Sequence, residues 1–284
     1  WLDTGAGTGN FSIYLYNELN EGLKDEIKDT KIRKEHIIKN MIYMIEINNN
    51  NIMILKEKFG ENSNIYNTNY LDYNVEEKFD IIIGNPPYNS KGLKKTPTNN
   101  INNKKEDGKM IWMDFTKKSI SLLKDEGLLL YIIPSIWMKP DKNNNYYYLL
   151  NYKINKLHTL TNTETNKIFN GNAQTPTCYF LLSKKENDNF INLYDKCLQK
   201  YINYELILGK PIPLFGQSII LKLQSYVKKY GYLKVIKTNS PSKKSKFSNI
   251  YDEINYSYKN ITTCLLKKTQ PILIYNYSNI PQAY

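Results

Sequence analysis

The chain has 284 residues, 41% of them hydrophobic, enough for one large or two ordinary domains and incompatible with disorder throughout. Its longest apolar run, 128–138, is broken by Pro134 and Ser135 and is too short to cross a bilayer, which excludes a helical membrane protein. A net charge of +12, from 39 Lys+Arg against 27 Asp+Glu, favours a polyanionic partner, although Asn, Lys, Ile and Tyr share A/T-rich codons and a biased genome can supply much of that lysine.

Trp1 and Leu2 read as the end of a strand, so the chain is expected to be part of a longer one. The strand runs into a glycine-rich turn, Asp3 to Gly9. Residues 10–23, with Phe11, Tyr14, Leu15 and Leu19 on one face, then predict a helix. A charged segment, 24–39, precedes the apolar run 41–47, which carries Glu46 and predicts a buried second strand ending in an acid. Residues 48–59 read as helix, and 65–67 and 79–83 as short strands. The second of these ends in Gly84-Asn85-Pro86-Pro87-Tyr88, where two prolines forbid both helix and ladder.

Residues 89–109 are polar and predict a solvated linker. Helical spacing follows over 112–124, with Gly127 as its stop, then a strongly apolar strand over 128–133. A helix is expected at 146–152 and two strands at 154–160 and 177–183. This alternation predicts an α/β fold, a doubly wound and mostly parallel sheet, over 1–195. Beyond it the pattern degrades into short Tyr- and Lys-rich pieces, so 196–284 is expected to be a smaller C-terminal region.

Asp3-Thr4-Gly5-Ala6-Gly7-Thr8-Gly9 lies between strand and helix, where glycine lets the backbone turn tightly and approach a ligand. It is not a dinucleotide fingerprint, because Asn10 stands where the third glycine would be, and no Gly-Lys-Ser/Thr follows to make a P-loop. Glu46, at a strand end, can accept both hydroxyls of a ribose, and Asp3 can hold an ammonium group. The sharpest signal is Asn85-Pro86-Pro87-Tyr88, at the carboxyl end of a buried strand, where open α/β sheets bind ligands. An exocyclic amino group conjugated to a base ring is a poor nucleophile. A side-chain amide oxygen from Asn85 and the Pro86 carbonyl, both accepting its hydrogens, can draw its lone pair out of conjugation, while Tyr88 stacks on the ring.

These motifs resemble those of the class I S-adenosylmethionine-dependent methyltransferases, and among them the amino-methylating DNA adenine methyltransferases. Their order, glycine loop, acidic strand end, Asn-Pro-Pro-Tyr and trailing region, is similar to the gamma arrangement. The resemblance covers 1–185 and implies a Rossmann-like fold. It implies S-adenosylmethionine held by Asp3, Gly5, Gly7, Gly9, Phe11 and Glu46, with Asn69 and Tyr70 beside its adenine. Asn85, Pro86, Pro87 and Tyr88 are implied as the catalytic motif. Residues 168–171 followed by 174–183 resemble the family's late motif, whose aromatic residue, here Phe169, packs with Tyr88 against an extruded base.

Three departures stand out. Asn69 occupies the place of a usual acid, with Asp72 as a register alternative. The stretch between Gly9 and Glu46 exceeds the usual spacing of about 20 residues, implying an inserted charged helix. The helical segment that in the family precedes the first motif is not part of this sequence.

The implied reaction is site-specific transfer of a methyl group from S-adenosylmethionine to the adenine N6 amino group of duplex DNA, the base being flipped out. An RNA amino-methyltransferase, a protein glutamine methyltransferase and a degenerate nucleic-acid-binding subunit are the alternatives. With three scattered cysteines, Cys178, Cys197 and Cys264, and only His36 and His158, neither a disulfide framework nor a metal site is expected. Free thiols fit an intracellular monomer, in the cytoplasm or associated with a nucleoid or viral factory. If Lys228, Lys229, Lys243, Lys244 and Lys246 contact phosphates, binding to duplex DNA should weaken steeply with salt. Neutralising them should flatten the log–log slope by about 0.9 for each phosphate no longer paired with a lysine, whereas a salt-insensitive complex would reduce the charge to genome bias.

Overall fold

The computed structural model describes residues 1–90, 109–173, 175–231, 246–267 and 270–280. The linker 91–108, Gln174 and the lysines 243 and 244 named above lie outside the described residues. The chain forms two units, 1–221 and 222–284.

The first unit is built on a nine-stranded sheet. In chain order its strands are β1 (Leu2–Asp3), β2 (Tyr43–Glu46), β3 (Asn64–Asn67), β4 (Phe79–Gly84), β5 (Leu123–Pro134), β6 (Tyr152–Leu160), β7 (Thr177–Glu186), β8 (Phe190–Asp195) and β9 (Lys200–Glu205). They lie in the order β3-β2-β1-β4-β5-β7-β6-β8-β9. The first five run parallel, and β7 is inserted antiparallel between β5 and β6. This is the expected mostly parallel α/β sheet.

Helices cover both faces of the parallel half, which is why β2 and β4 read as unbroken apolar runs. On one face α1 (Asn10–Gly22), α3 (Asn49–Phe59) and the π-helical turn Ile37–Met41 that continues α2 (Thr30–His36) pack Leu15, Leu55, Phe59 and Ile37 against Met44 and Ile83. On the other, α4 (Trp112–Leu122) sets Phe115 and Ile120 over Ile82, Leu129 and Tyr131. The long stretch before β2 folds around Arg33, 5% exposed, whose guanidinium donates to Asn20 Oδ1 at 2.8 Å and to the Ile27 carbonyl at 2.6 Å. The inserted helix is therefore shorter than the charged segment, capped by Asp29 and held by one buried cation.

Three expectations change. Gly127 does not stop a helix: α4 ends at Leu122, and Gly127 lies within β5, where a Cβ would come within 2.9 Å of the Lys124 carbonyl and 3.1 Å of the Asp80 carbonyl. The glycine is there because two backbones meet. The helix expected at 146–152 is α5 (Asn145–Leu150), and Tyr152 already belongs to β6. The boundary placed after residue 195 falls inside the β8–β9 hairpin, and the first unit continues to Leu221.

Asp195 explains that continuation. It is fully buried, and its carboxylate accepts from the N–H groups of Cys197, Leu198 and Ser218 at 3.0, 3.1 and 2.8 Å and from Ser218 Oγ at 2.7 Å. Against the desolvation that would raise it, these hydrogen bonds hold the carboxyl below its usual range. The loop before Ser218 is thereby fastened to the sheet, with Leu206 and Ile212 in its core. Ser218 starts α7 (Ser218–Tyr230), which leads into the second unit. That unit carries an antiparallel sheet, ordered β10-β12-β11, of β10 (Phe247–Ser248), β11 (Tyr258–Lys267) and β12 (Gln270–Ser278). No described helix is long and apolar enough to cross a membrane.

Replacing Asp195 by Ala should cost about 2–4 kcal/mol in urea unfolding, because it strands three backbone donors and a hydroxyl in the interior. A destabilisation below about 0.5 kcal/mol would show that the loop is held by other interactions.

Candidate active site

The order of strands reverses between β1 and β4, and the crevice at their carboxyl ends is where an open α/β sheet binds ligands. The register sets Asp3 beside Ile83. The glycine loop and the Asn-Pro-Pro-Tyr loop therefore leave the sheet side by side.

In the glycine loop, Gly7 and Gly9 take left-handed conformations, φ 55° and 88°. A Cβ on Gly9 would lie 2.8 Å from Leu55 Cδ2, so its need is packing against α3. At Gly5 and Gly7 a Cβ would meet nothing within 4 Å, which leaves open space over that backbone. Asp3 is 1% exposed, with Oδ2 accepting from Ser12 Oγ at 2.9 Å. Burial pushes its carboxyl up to about 6, against the lowering effect of the Ser12 and Gly5 hydrogen bonds and with help from negative Glu46. Glu46, 8% exposed, accepts the Gly7 N–H at Oε2 and the Asn48 N–H at Oε1, both at 2.7 Å. Each oxygen keeps acceptor capacity, and the same carboxylate ties the end of β2 to the loop. The exposed Ile47 follows directly, and Phe11, also exposed, lies in the first turn of α1.

In the second loop Pro86 is buried and Asn85 half-buried. Asn85 Oδ1 is shielded from solvent and has no hydrogen-bond partner. A buried amide oxygen without a donor is costly, which marks it as an acceptor awaiting one. Tyr88 packs half-buried against the main core with its hydroxyl unpartnered. Its pKa is pushed up by burial and by nearby Cys178, whose sulfur accepts from Trp137 Nε1 at 3.3 Å. The Tyr88 carbonyl accepts the Ile111 N–H at 3.2 Å, which ties this loop to the start of α4.

Two expected residues are engaged elsewhere. Tyr70 is 2% exposed and turns its hydroxyl to Ser119 Oγ at 2.8 Å, beneath the sheet, leaving only its backbone for a cofactor. Asn69 caps a short turn: its Oδ1 accepts the Leu71 N–H at 3.2 Å and its Nδ2 donates to the exposed Asp72 at 2.8 Å. Phe169 ends α6 (Asn162–Ile168), whose Thr165 hydroxyl meets that of Thr177 at 2.9 Å, beside Cys178. This brings it to the same edge of the sheet but outside the core cluster that holds Tyr88. Sequence reasoning does not single out Ser12, Thr4, Ile47 or Gly84; a serine nine positions after an acid carries no sequence signal.

A family model described as Eco57I restriction-modification methylase matches residues 9–169, more than half of the chain. The chain belongs to this family. Within the Eco57I methylase family, the chain is 30% identical over 135 residues to the type II restriction enzyme and methyltransferase RM.Eco57I of Escherichia coli, a match covering 45% of this chain and 13% of that protein. It is 27% identical over 134 residues to a tRNA1(Val) (adenine(37)-N6)-methyltransferase of Actinobacillus pleuropneumoniae serotype 7 (strain AP76), covering 47% and 50%. The chain thus spans half or less of the curated relatives it matches. Among solved structures, the type I restriction enzyme EcoKI M protein shares its fold with a TM-score of 0.52 at 13% identity, over 75% of this chain and 46% of that one. The ATP-dependent type ISP enzyme LlaBIII, bound to DNA, does so with 0.52 at 14%, over 74% and 20%. The sheet and its helices are thus a fold shared with both proteins.

The raised pKa of Asp3 has a sign. With a folded value of about 6 against the ordinary 3.8, the fold holds this proton more tightly than the open chain does. That contribution is complete below the ordinary value and is lost as pH rises through the folded one. Asp3→Asn should therefore gain on the parent by an amount on the order of 3 kcal/mol as pH is raised from about 4 to about 7, read from urea midpoints. A gap independent of pH would mean that the carboxylate is charged and fully compensated.

Proposed function

We propose that this chain methylates the N6 amino group of adenine in DNA with S-adenosylmethionine as donor. The observation that carries the reading is the unpartnered Asn85 Oδ1 at the end of β4, beside a glycine loop flanked by two buried acids.

The donor set fits the cofactor. Asp3 would face its ammonium group and Glu46 its ribose hydroxyls. The open backbone of Gly5 and Gly7 would lie along it, with Gly9 packing the loop onto α3 and Phe11, Ile47 and the Asn69–Tyr70 backbone at its edges. When bound, S-adenosylmethionine supplies a sulfonium-activated methyl group. The work of this chain is positioning and hydrogen bonding. Asn85 Oδ1 and the Pro86 carbonyl accept the two hydrogens of the target amine and so raise the availability of its lone pair. Pro87 stiffens the loop, and Tyr88 stacks on the base, with Phe169 closing the pocket. No strong base is needed, because the amine becomes acidic on methylation and its proton leaves to solvent. A paired adenine cannot reach Asn85, so the base must be flipped out. Lysines 228, 229 and 246, at the end of α7 and before β10, would contact phosphates.

The family description and the Escherichia coli relative favour DNA. The relative named for tRNA favours a second reading, adenine N6 methylation in RNA. Both predict that Asn85→Ala in the full-length protein abolishes methyl transfer, by about a hundredfold or more, and leaves S-adenosylmethionine affinity within about twofold in calorimetry. Retained transfer would sink the mechanism. Competition between DNA and RNA oligonucleotides for the parent enzyme decides the polymer.

A further inference from the structure

Beneath the two loops runs a line of four buried hydroxyls that the reaction just described does not use. Thr4 Oγ1 lies 2.7 Å from Tyr131 OH, Tyr131 OH 2.6 Å from Ser119 Oγ, and Ser119 Oγ 2.8 Å from Tyr70 OH. None of the four residues is more than 2% exposed. One proton arrangement satisfies the line: Tyr70 donates to Ser119, Ser119 to Tyr131, Tyr131 to Thr4, and Thr4 to the Ile83 carbonyl at 3.5 Å. The Ile83 carbonyl also accepts the Thr4 N–H at 3.2 Å.

This line converges on one point. Ile83 and Gly84 immediately precede Asn85, and Thr4 lies in the glycine loop. A Cβ on Gly84 would fall 2.5 Å from Thr4 Oγ1 and 3.0 Å from Tyr131 Cε1, so both partners of the first hydrogen bond press on the residue that carries Asn85. Phe, Val and Ala would fill the same space without polar groups to satisfy. Buried hydroxyls add little net stability over such a core, but they fix direction and distance.

We infer that Thr4, Tyr131, Ser119 and Tyr70 are positioning residues, a hydroxyl line that sets the separation of the donor loop from Asn85. The inference rests on the methyl-transfer reading for its kinetic consequence and on geometry alone for its structural one. All four hydroxyls are buried and engaged with one another or with backbone carbonyls.

The test uses the full-length protein. Tyr131→Phe, which removes only an oxygen, should lower kcat about tenfold or more with S-adenosylmethionine Kd changed less than about threefold. It should also speed hydrogen exchange of the Thr4 amide about tenfold while the Leu129 amide is unchanged. Thr4→Val should do the same, and Thr4→Ser should recover most of the rate. The double variant should be no slower than the slower single one, since the two hydroxyls act as a unit. An unchanged kcat, or a Tm, Kd and kcat that fall together, overturns the proposal. So does unchanged exchange at Thr4. If the parent protein transfers no methyl group to DNA or RNA, the functional reading fails by itself, and exchange at Thr4 alone decides the hydroxyl line.

Discussion

Everything in the candidate site depends on the parallel seating of β4 against β1. With Asp3 level with Ile83, the next residues on the two strands, Thr4 and Gly84, are driven into contact, and only glycine fits. That one contact delivers the two loops to the same point above the sheet edge. A transfer reaction with no covalent intermediate on the protein depends on alignment within a few tenths of an ångström. Packed strands supply such alignment better than loops do, because a close-packed interior resists small displacements.

The electrostatics follow the same division. Against a net charge of +12, the glycine loop is bordered by two buried acids, Asp3 and Glu46. Their neighbours are neutral donors: Ser12, and the N–H groups of Gly5, Gly7 and Asn48. A lysine there would satisfy the acids and neutralise the site. Neutral donors leave net negative charge where a cationic ligand would lie, and they leave Asp3 hard to ionise.

How far the sequence could be read varies with the kind of force involved. The parallel half was legible because its strands are buried on both faces and its helices have one apolar side, so hydrophobic period and burial agree. The placement of the glycine loop, Glu46 and Asn85 at strand ends was legible because apolar runs stop at them. The side-chain partners of Asn69 and Tyr70 were not legible because they are local or tertiary: the Leu71 N–H two residues on donates to the Asn69 amide oxygen, and core Ser119 pairs with the Tyr70 hydroxyl. The strands β8 and β9 were hidden by composition. Ile191, Leu193 and Tyr204 face the core, but the outward row includes Asn192, Asn203, Tyr194 and Tyr201, and the His158 ring stacks between Tyr179 and Tyr194 at 4.7 and 4.0 Å. Aromatic stacking on an open face leaves no apolar period to read.

The comparisons bear on where substrate choice resides. A protein named for restriction and one named for a tRNA adenine match this chain over nearly equal stretches, each less than half of it. Likeness at that level therefore carries what the two names share, methyl transfer, and not the polymer that receives the group. In the reading proposed above, Asn85, Pro86 and Tyr88 would meet only a base, and such contacts would not distinguish a deoxyribose from a ribose. Discrimination must come from groups that reach sugar and phosphate, outside the β1–β4 crevice. In the same reading, that task would fall to the region after Leu221, which has its own antiparallel sheet and lysines at 228, 229 and 246. A crevice that specifies chemistry and a separate unit that specifies polymer and sequence could change independently of one another.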